Sequence, residues 1–330
     1  MSTPLSASPG TTDDGGAATF ARDVREGLCS RPRRIPPRYL YDELGSSLFE
    51  AICRLPWYPI TRAEKRLLAA HGAEVAHAAG RPLTLVELGC GTGEKLELLV
   101  EAVREDLRAL RVVLIDVSEM ALERSARLLL SRGVGEVRPC RATYEEGLVQ
   151  ASSSWPATGK RLVLFLGSNI GNLEPSEAGK FLGAIREALR AGDHLLLGAD
   201  LVKPVPRFVQ AYDDPLGVTA AFNRNLLVRM NRELGADFAL DGFSHEARWN
   251  EAERRVEMHL VSRSRQVVRV PAAGVTFAFE PGEGIWTESS YKYTPDSIAA
   301  LTASAGFAVR NQWVDEADRF ALTLLSARQP

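Results

Sequence analysis

The chain has 330 residues, which is enough for two domains of ordinary size or for one domain that carries a large insertion. Hydrophobic residues make up 45% of the chain and charged residues 25%, a composition typical of globular proteins that excludes disordered and fibrous classes. Its 40 basic residues are balanced by 42 acidic ones, so no positive field that would attract nucleic acid is expected.

The sequence also points away from membranes and metals. No apolar run is long enough to span a bilayer, and the N-terminus lacks the pattern of a signal peptide. Cysteines at positions 29, 53, 90 and 140 do not have the spacing of zinc ligands. We therefore expect free thiols, a cytoplasmic protein and no bound metal.

The first sixty residues divide into a tail and a helical segment. Residues 1–17 are rich in Ser, Thr, Gly and Pro, which predicts a disordered tail. Apolar side chains then recur every fourth residue from Phe20, which indicates a helix. We assign residues 18–60 to an N-terminal helical segment associated with a substrate domain. Thr61 and Glu64 have the spacing of a capping box, which predicts a helix from there to about residue 79.

Short apolar runs then alternate with amphipathic ones, as in a parallel sheet covered by helices. The predicted strands are 83–87, 111–116, 136–141, 161–167 and 194–200, with helices near 94–109, 118–132, 144–150 and 175–190. A helix over 295–305 and strands at 308–313 and 320–327 return to the same pattern. The fold class is α/β: a doubly wound, Rossmann-like sheet formed by residues 61–200 and 295–330.

Residues 201–294 have a different pattern and predict an inserted α+β substrate-binding domain. Helical periodicity appears near 207–212 and 219–233. Alternating apolar and polar residues over 248–262 and 266–279 predict antiparallel strands.

A glycine-rich loop, ELGCGTG at residues 87–93, follows the first predicted strand. Glycines allow the backbone to turn sharply and to approach a ligand closely. A dinucleotide site would need its third glycine one position later, and Glu94 would repel phosphate. An NAD(P)-dependent oxidoreductase is therefore the alternative class. With Asp116 at the end of the next strand, the loop resembles the S-adenosyl-L-methionine site of class I methyltransferases, in which such an acid binds the ribose.

The fourth predicted strand ends in small residues and asparagines, including Asn169 and Asn172. An asparagine amide both donates and accepts hydrogen bonds, which suits the carboxylate and amine of an amino acid. Either asparagine taken alone is equally explained as a capping residue at a helix start.

Sequence blocks across the whole chain carry a more specific resemblance. They lie at residues 41–46, 86–95, 166–173, 200–203, 211–225 (AYDDPLGVTAAFNRN) and 287–290. Together they resemble the histidine-specific Nα-methyltransferases of ergothioneine biosynthesis. The resemblance implies S-adenosyl-L-methionine-dependent trimethylation of L-histidine to hercynine, a small-molecule substrate, and no nucleic acid or membrane partner. We expect the enzyme to be a monomer.

The resemblance also implies site residues. Cofactor-binding candidates are Glu87, Gly89, Gly91, Gly93, Lys95, Asp116, Thr143 and Tyr144, with Lys95 facing the methionyl carboxylate. Substrate-binding candidates are Tyr41, Tyr58, Asn172, Tyr212, Met258, Glu288 and Ser290. Among these, Asn172 and Tyr212 are implied at the carboxylate and amine, Glu288 and Ser290 at the imidazole, and Met258 beside the ring. Tyr41 and Asn172 are the catalytic candidates, Tyr41 as the group that positions or relays the proton of the amine unless solvent removes it.

Two positions depart from the family pattern. Trp57-Tyr58-Pro59-Ile60-Thr61-Arg62 stands where the family often has Glu-Tyr-Tyr-Pro-Thr-Arg, which changes the expected wall of the pocket beside Tyr58. Another amino acid, such as tryptophan or a derivative, is therefore an alternative acceptor. Thr143-Tyr144 replaces the family's Asp-Phe pair at the adenine, so an uncharged hydroxyl is expected there.

Overall fold

The computed structural model describes residues 14–103, 107–153, 155–156 and 158–329. Residues 1–13 of the predicted tail lie outside this range. Helix α1 (Asp14–Cys29) begins before the predicted end of the tail at residue 17. Its apolar stripe of Phe20, Val24 and Leu28 is buried, so the predicted periodicity is confirmed.

The N-terminal segment continues through a two-residue strand β1 (Arg33–Arg34) and helix α2 (Glu43–Ile52). Helix α2 begins at a real cap, because the Asp42 carboxylate accepts a hydrogen bond from the Gly45 amide at 2.8 Å.

A seven-stranded sheet, mostly parallel, organises the larger part of the chain. Its strands are β2 (Leu83–Leu88), β3 (Arg111–Asp116), β4 (Glu136–Arg141), β5 (Lys160–Phe165), β6 (His194–Asp200), β12 (Phe307–Asp315) and β13 (Phe320–Ala327). The order is β12-β13-β6-β5-β2-β3-β4, with β13 antiparallel to both neighbours. Strand β2 lies between β5 and β3, so the order reverses there, and a ligand crevice is expected at its carboxyl end.

Helices cover both faces of this sheet, as the sequence predicts. They are α3 (Ile60–Ala79), α4 (Glu94–Val103), α5 (Glu119–Ser131), α6 (Tyr144–Ser153), α7 (Pro175–Ala188) and α10 (Pro295–Ser304). Alternate residues of one strand enter different apolar clusters: Leu85 packs with the cluster that includes α3 and α4, and Val86 with the cluster that includes α6 and α7. The uninterrupted apolar runs of the sequence therefore reflect burial on both faces.

A second unit follows β6. It comprises α8 (Val205–Tyr212), α9 (Val218–Leu234), β7 (Phe243–Asn250), β8 (Arg255–Ser262), β9 (Gln266–Val270), β10 (Val275–Phe279) and β11 (Gly284–Tyr291). The four-stranded sheet has the order β1-β11-β8-β7, and β9 pairs with β10. The predicted strands 248–262 and 266–279 were wrong in extent, because each contains a turn, and β11 was not predicted. The first turn lacks glycine and proline, and Arg254 adopts a positive φ of 54° there.

The chain leaves the large sheet and returns to it at one place. Leu201 and Tyr293 form a parallel bridge, and the Tyr293 amide donates to the Asp200 carbonyl at 3.0 Å. The predicted boundaries, residues 201–294 for the insertion and 61–200 with 295–330 for the doubly wound unit, stay a prediction, and the exit and return of the chain lie next to them. Among the described residues, no helix is both long and apolar enough to cross a membrane.

Candidate active site

The glycine loop joins β2 to α4 at the switch point of the sheet. Gly89, Gly91 and Gly93 have φ values of 82°, 50° and 76°, in the left-handed region that favours glycine. A Cβ at Gly89 would lie 2.9 Å from the Tyr144 hydroxyl, and one at Gly93 would lie 2.9 Å from the Ser125 hydroxyl. The loop therefore requires glycine at all three positions, through its conformation and, at two of them, through close packing.

Asp116 ends β3 beside this loop. Its Oδ1 accepts from the Ser118 amide at 2.9 Å, and its Oδ2 accepts from the Gly91 amide at 3.2 Å. Oδ2 also accepts from the Cys90 thiol at 3.7 Å, so these bonds fix the carboxylate and leave Oδ1 with a second lone pair for a ligand hydroxyl. The geometry suits the ribose diol that the sequence assigns to Asp116.

Beneath the loop, Lys95 is already engaged by an acid that the sequence analysis placed elsewhere. The Lys95 Nζ donates to Glu64 Oε2 at 2.9 Å, and both Glu64 oxygens accept from the Gly167 amide at 2.9 Å. The predicted capping box was wrong: α3 begins at Ile60 after Pro59, and the fully buried Glu64 ties α3 to the end of β5. Glu64 thus positions Lys95. The only signal of this role in the sequence is that an acidic residue lies on the apolar face of a helix.

Glu87 is buried under the same loop. Within the part of the chain that the structure describes, neither of its carboxylate oxygens has a hydrogen-bond partner, and burial raises the pKa of this group to about 8. Burial therefore favours the neutral form of this acid.

The two candidates for the adenine differ in their surroundings. The Tyr144 ring packs against Phe165 and Phe181, and its hydroxyl accepts from the Asn169 amide at 3.3 Å, directly over Gly89. The Thr143 hydroxyl instead donates to Glu146 at 3.0 Å at the start of α6. The structure brings Tyr144 to the loop, whereas the Thr143 hydroxyl is occupied by its own helix.

A cleft of about 440 Å³ opens next to the loop, and all seven substrate-binding candidates line it. Its wall also includes residues that the sequence analysis did not single out for a role: Phe49, Ile52, Ile60, Gly167, Ser168, Ala211, Thr219 and Phe222. Asn169 joins the two places, since it lines the cleft and its Nδ2 lies 3.1 Å from the Cβ position of Gly89. Of the stretch that departs from the family pattern, Tyr58 and Ile60 line the cleft, whereas Trp57 packs against the apolar core and does not.

Glu288 is the acceptor group of the cleft. A bulge in β11 between Trp286 and Glu288 shifts the register at this point. Glu288 Oε1 accepts from the Tyr41 hydroxyl at 3.3 Å and from Asn172 Nδ2 at 3.4 Å. Burial raises the pKa of Glu288 to about 7. Burial and the nearby Glu288 charge together hold the pKa of Tyr41 well above 10, so this phenol remains a donor.

Ser290 belongs to a buried polar cluster behind the cleft. The Tyr212 hydroxyl donates to Ser290 Oγ at 2.8 Å, and Lys292 Nζ donates to both, at 2.7 and 2.9 Å. Asp200 lies between two lysines, with Lys292 at 3.0 Å and Lys203 at 2.6 Å. Burial acts to lower the pKa of Lys292, but Tyr212 and Asp200 raise it above its ordinary value, so the ammonium stays charged.

The sheet order, the glycine loop and the fixed acid at the end of β3 define a class I methyltransferase fold that uses S-adenosylmethionine. The chain belongs to the family of histidine-specific, SAM-dependent methyltransferases, whose profile matches residues 20–327. This membership removes the oxidoreductase alternative.

Named relatives agree with the family. A histidine N-alpha-methyltransferase of Mycobacterium tuberculosis is 47% identical, over 94% of this chain and 96% of that protein. One of Mycolicibacterium smegmatis is 45% identical over the same shares. Ergothioneine biosynthesis protein 1 of Neurospora crassa is 28% identical over 86% of this chain and 32% of its own length.

Proposed function

We propose that the protein transfers three methyl groups from S-adenosyl-L-methionine to the α-amino nitrogen of L-histidine, giving hercynine for ergothioneine biosynthesis. One observation carries the proposal: a cleft that contains a buried carboxylate, Glu288, and a buried hydroxyl, Ser290, opens beside the glycine loop. The names of the mycobacterial and fungal relatives support the acceptor and the pathway.

The residues around the loop fit the cofactor. Gly89 lets the loop backbone lie against Tyr144 with no side chain between them, and Asp116 Oδ1 keeps a lone pair for a ribose hydroxyl. We assign the ribose to Asp116, the methionyl carboxylate to Lys95 and the adenine side to Tyr144, with Glu87, Gly91 and Gly93 supporting the loop. Thr143 stays a predicted neighbour of the adenine, since its hydroxyl bonds Glu146. The bound cofactor supplies a methyl group activated on a sulfonium.

The acceptor pocket matches the two ends of histidine. Glu288 accepts from the ring N–H, Ser290 serves the other ring nitrogen, and Met258 lies beside the ring. The free N–H of the Asn172 amide and the Tyr212 hydroxyl face the carboxylate and amine. Their role is alignment, because methyl transfer is an in-line displacement that depends on the position of the nitrogen.

The amine must lose its proton before each transfer. Tyr41 is unsuited to remove it, because the raised pKa keeps the phenol protonated. We therefore assign Tyr41 and Asn172 to positioning and the removal of the proton to solvent. Tyr41, Tyr58 and Phe222 present aromatic rings to the cleft, which suit an increasingly methylated cationic amine.

The test is incubation of the purified protein with S-adenosyl-L-methionine and each of the twenty amino acids, followed by mass spectrometry. We expect histidine to gain three methyl groups and tryptophan to react at least tenfold more slowly. Reactions without the methyl donor serve as the control. Faster methylation of tryptophan, or none of histidine, would contradict the proposal.

We also propose that the enzyme works as a monomer in the cytoplasm. All four cysteines are free thiols, as expected in a reducing compartment.

A further inference from the structure

Lys292, which lies behind the cleft, donates hydrogen bonds to three different side chains. Its side chain is completely buried, and all three of its N–H donors are used. One bonds Asp200 Oδ2, one the Tyr212 hydroxyl and one the Ser290 hydroxyl. An ammonium has no lone pair, so both hydroxyl oxygens must act as acceptors toward Lys292.

The direction of the bond between the two hydroxyls, from Tyr212 to Ser290, then fixes the remaining hydrogens. Two hydroxyls carry two hydrogens, and one of these forms the 2.8 Å bond from Tyr212 to Ser290 Oγ. Ser290 then accepts from both Tyr212 and Lys292, which uses both of its lone pairs. Its own O–H is the hydrogen left over, and Ser290 lines the cleft. Ser290 therefore faces the ligand as a donor.

We propose that Lys292 is a positioning and specificity residue that makes Ser290 an obligatory hydrogen-bond donor, so that the pocket selects a planar ring with one N–H and one acceptor nitrogen. Glu288 accepts a hydrogen bond from the ring N–H, and the Ser290 hydroxyl donates one to the acceptor nitrogen of the ring. The inference rests on the proposed function and adds the group that sets the polarity of the ring site.

The surrounding charges support this role. The groups that face Lys292 and its two hydroxyls are Asp200, Lys203 on the far side of Asp200, and Glu288 across the cleft. Lys203 binds Asp200 Oδ1 at 2.6 Å and the Asp318 carbonyl at 2.7 Å, and no bond from it to either hydroxyl is found in the described chain. One lysine is enough to neutralise the charge of Asp200. Because Lys203 does so, Lys292 is available to orient the two hydroxyls.

Lys203 supplies a matched control. Lys292→Met and Lys203→Met each remove one positive charge from Asp200, but only Lys292→Met releases Ser290 and Tyr212. The probes are L-histidine and an L-pyrrolylalanine in which the acceptor nitrogen of the ring is replaced by C–H. Dissociation constants are measured by calorimetry with S-adenosylhomocysteine present, and binding of that nucleoside alone checks that each variant is folded.

We expect the wild-type protein to bind histidine about 10- to 100-fold more tightly than the pyrrole, the usual value of one buried hydrogen bond. Lys292→Met should reduce this ratio to about 3 or less, and Lys203→Met should leave it within about twofold of wild type. Adding Ser290→Ala to Lys292→Met should change the ratio no further, because both act through one hydroxyl. An unchanged ratio in Lys292→Met, or an equal loss in Lys203→Met, would overturn the inference.

A second measurement needs no variant. Histidine labelled with ¹⁵N in the ring and bound to the wild-type protein at pH 7.5 should show one protonated nitrogen and one hydrogen-bonded acceptor nitrogen. Two protonated ring nitrogens would overturn the role of Lys292. Failure of the wild-type protein to methylate histidine would instead overturn the proposed function, so the two failures are distinct.

Discussion

At the residue scale, the site is built from ionisable groups that are removed from water. Glu288 is 7% exposed and Glu87 1% exposed, and burial raises the pKa of each by stabilising the neutral acid. Sequence motifs identified Glu87 and Glu288, but not Glu64 or the role of Lys292. Glu64 joins Lys95, 31 positions away, to the Gly167 amide, 103 positions away, and Lys292 joins Ser290, two positions away, to Tyr212, 80 positions away. Each role needs a partner that only the fold brings near, so local spacing does not identify it.

Glu288 should lower the stability of the ligand-free protein at neutral and alkaline pH. Its folded pKa of about 7 lies above the ordinary 4.5, so the unfolded chain releases this proton first and stability falls as pH rises from 4.5 to 7. Glu288→Gln removes that loss. We expect its free energy of unfolding at pH 8 to exceed that of the wild-type protein by up to about 3 kcal/mol. This difference should vanish below pH 4.5.

The same variant should lose function, because a neutral amide is a weaker acceptor for the ring N–H. We expect kcat/KM for histidine to fall about 10- to 100-fold. Urea unfolding at several pH values and steady-state kinetics measure the two effects. Glu253→Gln, at an exposed turn position, is the control and should change neither. A Glu288→Gln protein less stable than wild type at pH 8 would contradict the argument.

Glu64 should be required for both folding and cofactor binding. Glu64→Ala leaves the Gly167 amide and Lys95 without their partner, and we expect a loss of about 3–5 kcal/mol, as for other broken buried pairs. Thermal unfolding and titration with S-adenosylhomocysteine measure the change. Glu94→Ala breaks only the half-exposed pair with Lys65 and should cost less than about 1 kcal/mol. Equal effects of the two changes would refute the assigned role of Glu64.

At the scale of elements, the sequence predicted the large sheet better than the small one. Strands β2, β3, β4, β5 and β6 are short apolar runs between helical patterns, and their positions were predicted within two residues. The small sheet depends on β1 pairing with β11, where Arg33 is opposite Ile285, and no local pattern encodes a pairing across 250 residues. The bulge that places Glu288 is equally a property of two paired strands.

The glycine loop gives a direct test at this scale. Gly89→Ala puts a Cβ in a left-handed conformation and against Tyr144, and we expect at least a tenfold loss of affinity for S-adenosylhomocysteine. Gly183→Ala is the matched control, because Gly183 lies within α7 with open space around it. That change should raise stability by about 0.5–1 kcal/mol and leave the affinity unchanged. Wild-type affinity in Gly89→Ala would show that the loop does not bind the cofactor as proposed.

At the scale of the whole molecule, the two sheets share one core. A single apolar cluster contains Leu85 and Leu164 of the large sheet together with Phe222 and Leu260 of the second unit. A continuous core predicts that the units unfold together, although the chain is long enough for two separate domains.

Single-tryptophan proteins can test this cooperativity. One retains Trp249 on β7 and the other Trp313 on β12, with the remaining tryptophans replaced by phenylalanine. We expect their fluorescence midpoints in urea to coincide with each other and with the loss of far-ultraviolet circular dichroism. Two separated midpoints would mean that the shared cluster does not couple the units.

The bridge between Leu201 and Tyr293 has a consequence for how such enzymes can be altered. The segment whose two ends meet there contributes Tyr212, Met258, Glu288 and Ser290 to the cleft, so exchanging it between homologues replaces part of the cleft wall. The exchanged segment must also match the apolar core that it shares with the large sheet. The ion pair of Asp200 and Lys292 lies across that junction. A chimaera must therefore take both residues of this ion pair from the same parent protein. Otherwise Lys292 would no longer hold the Tyr212 and Ser290 hydroxyls in their positions.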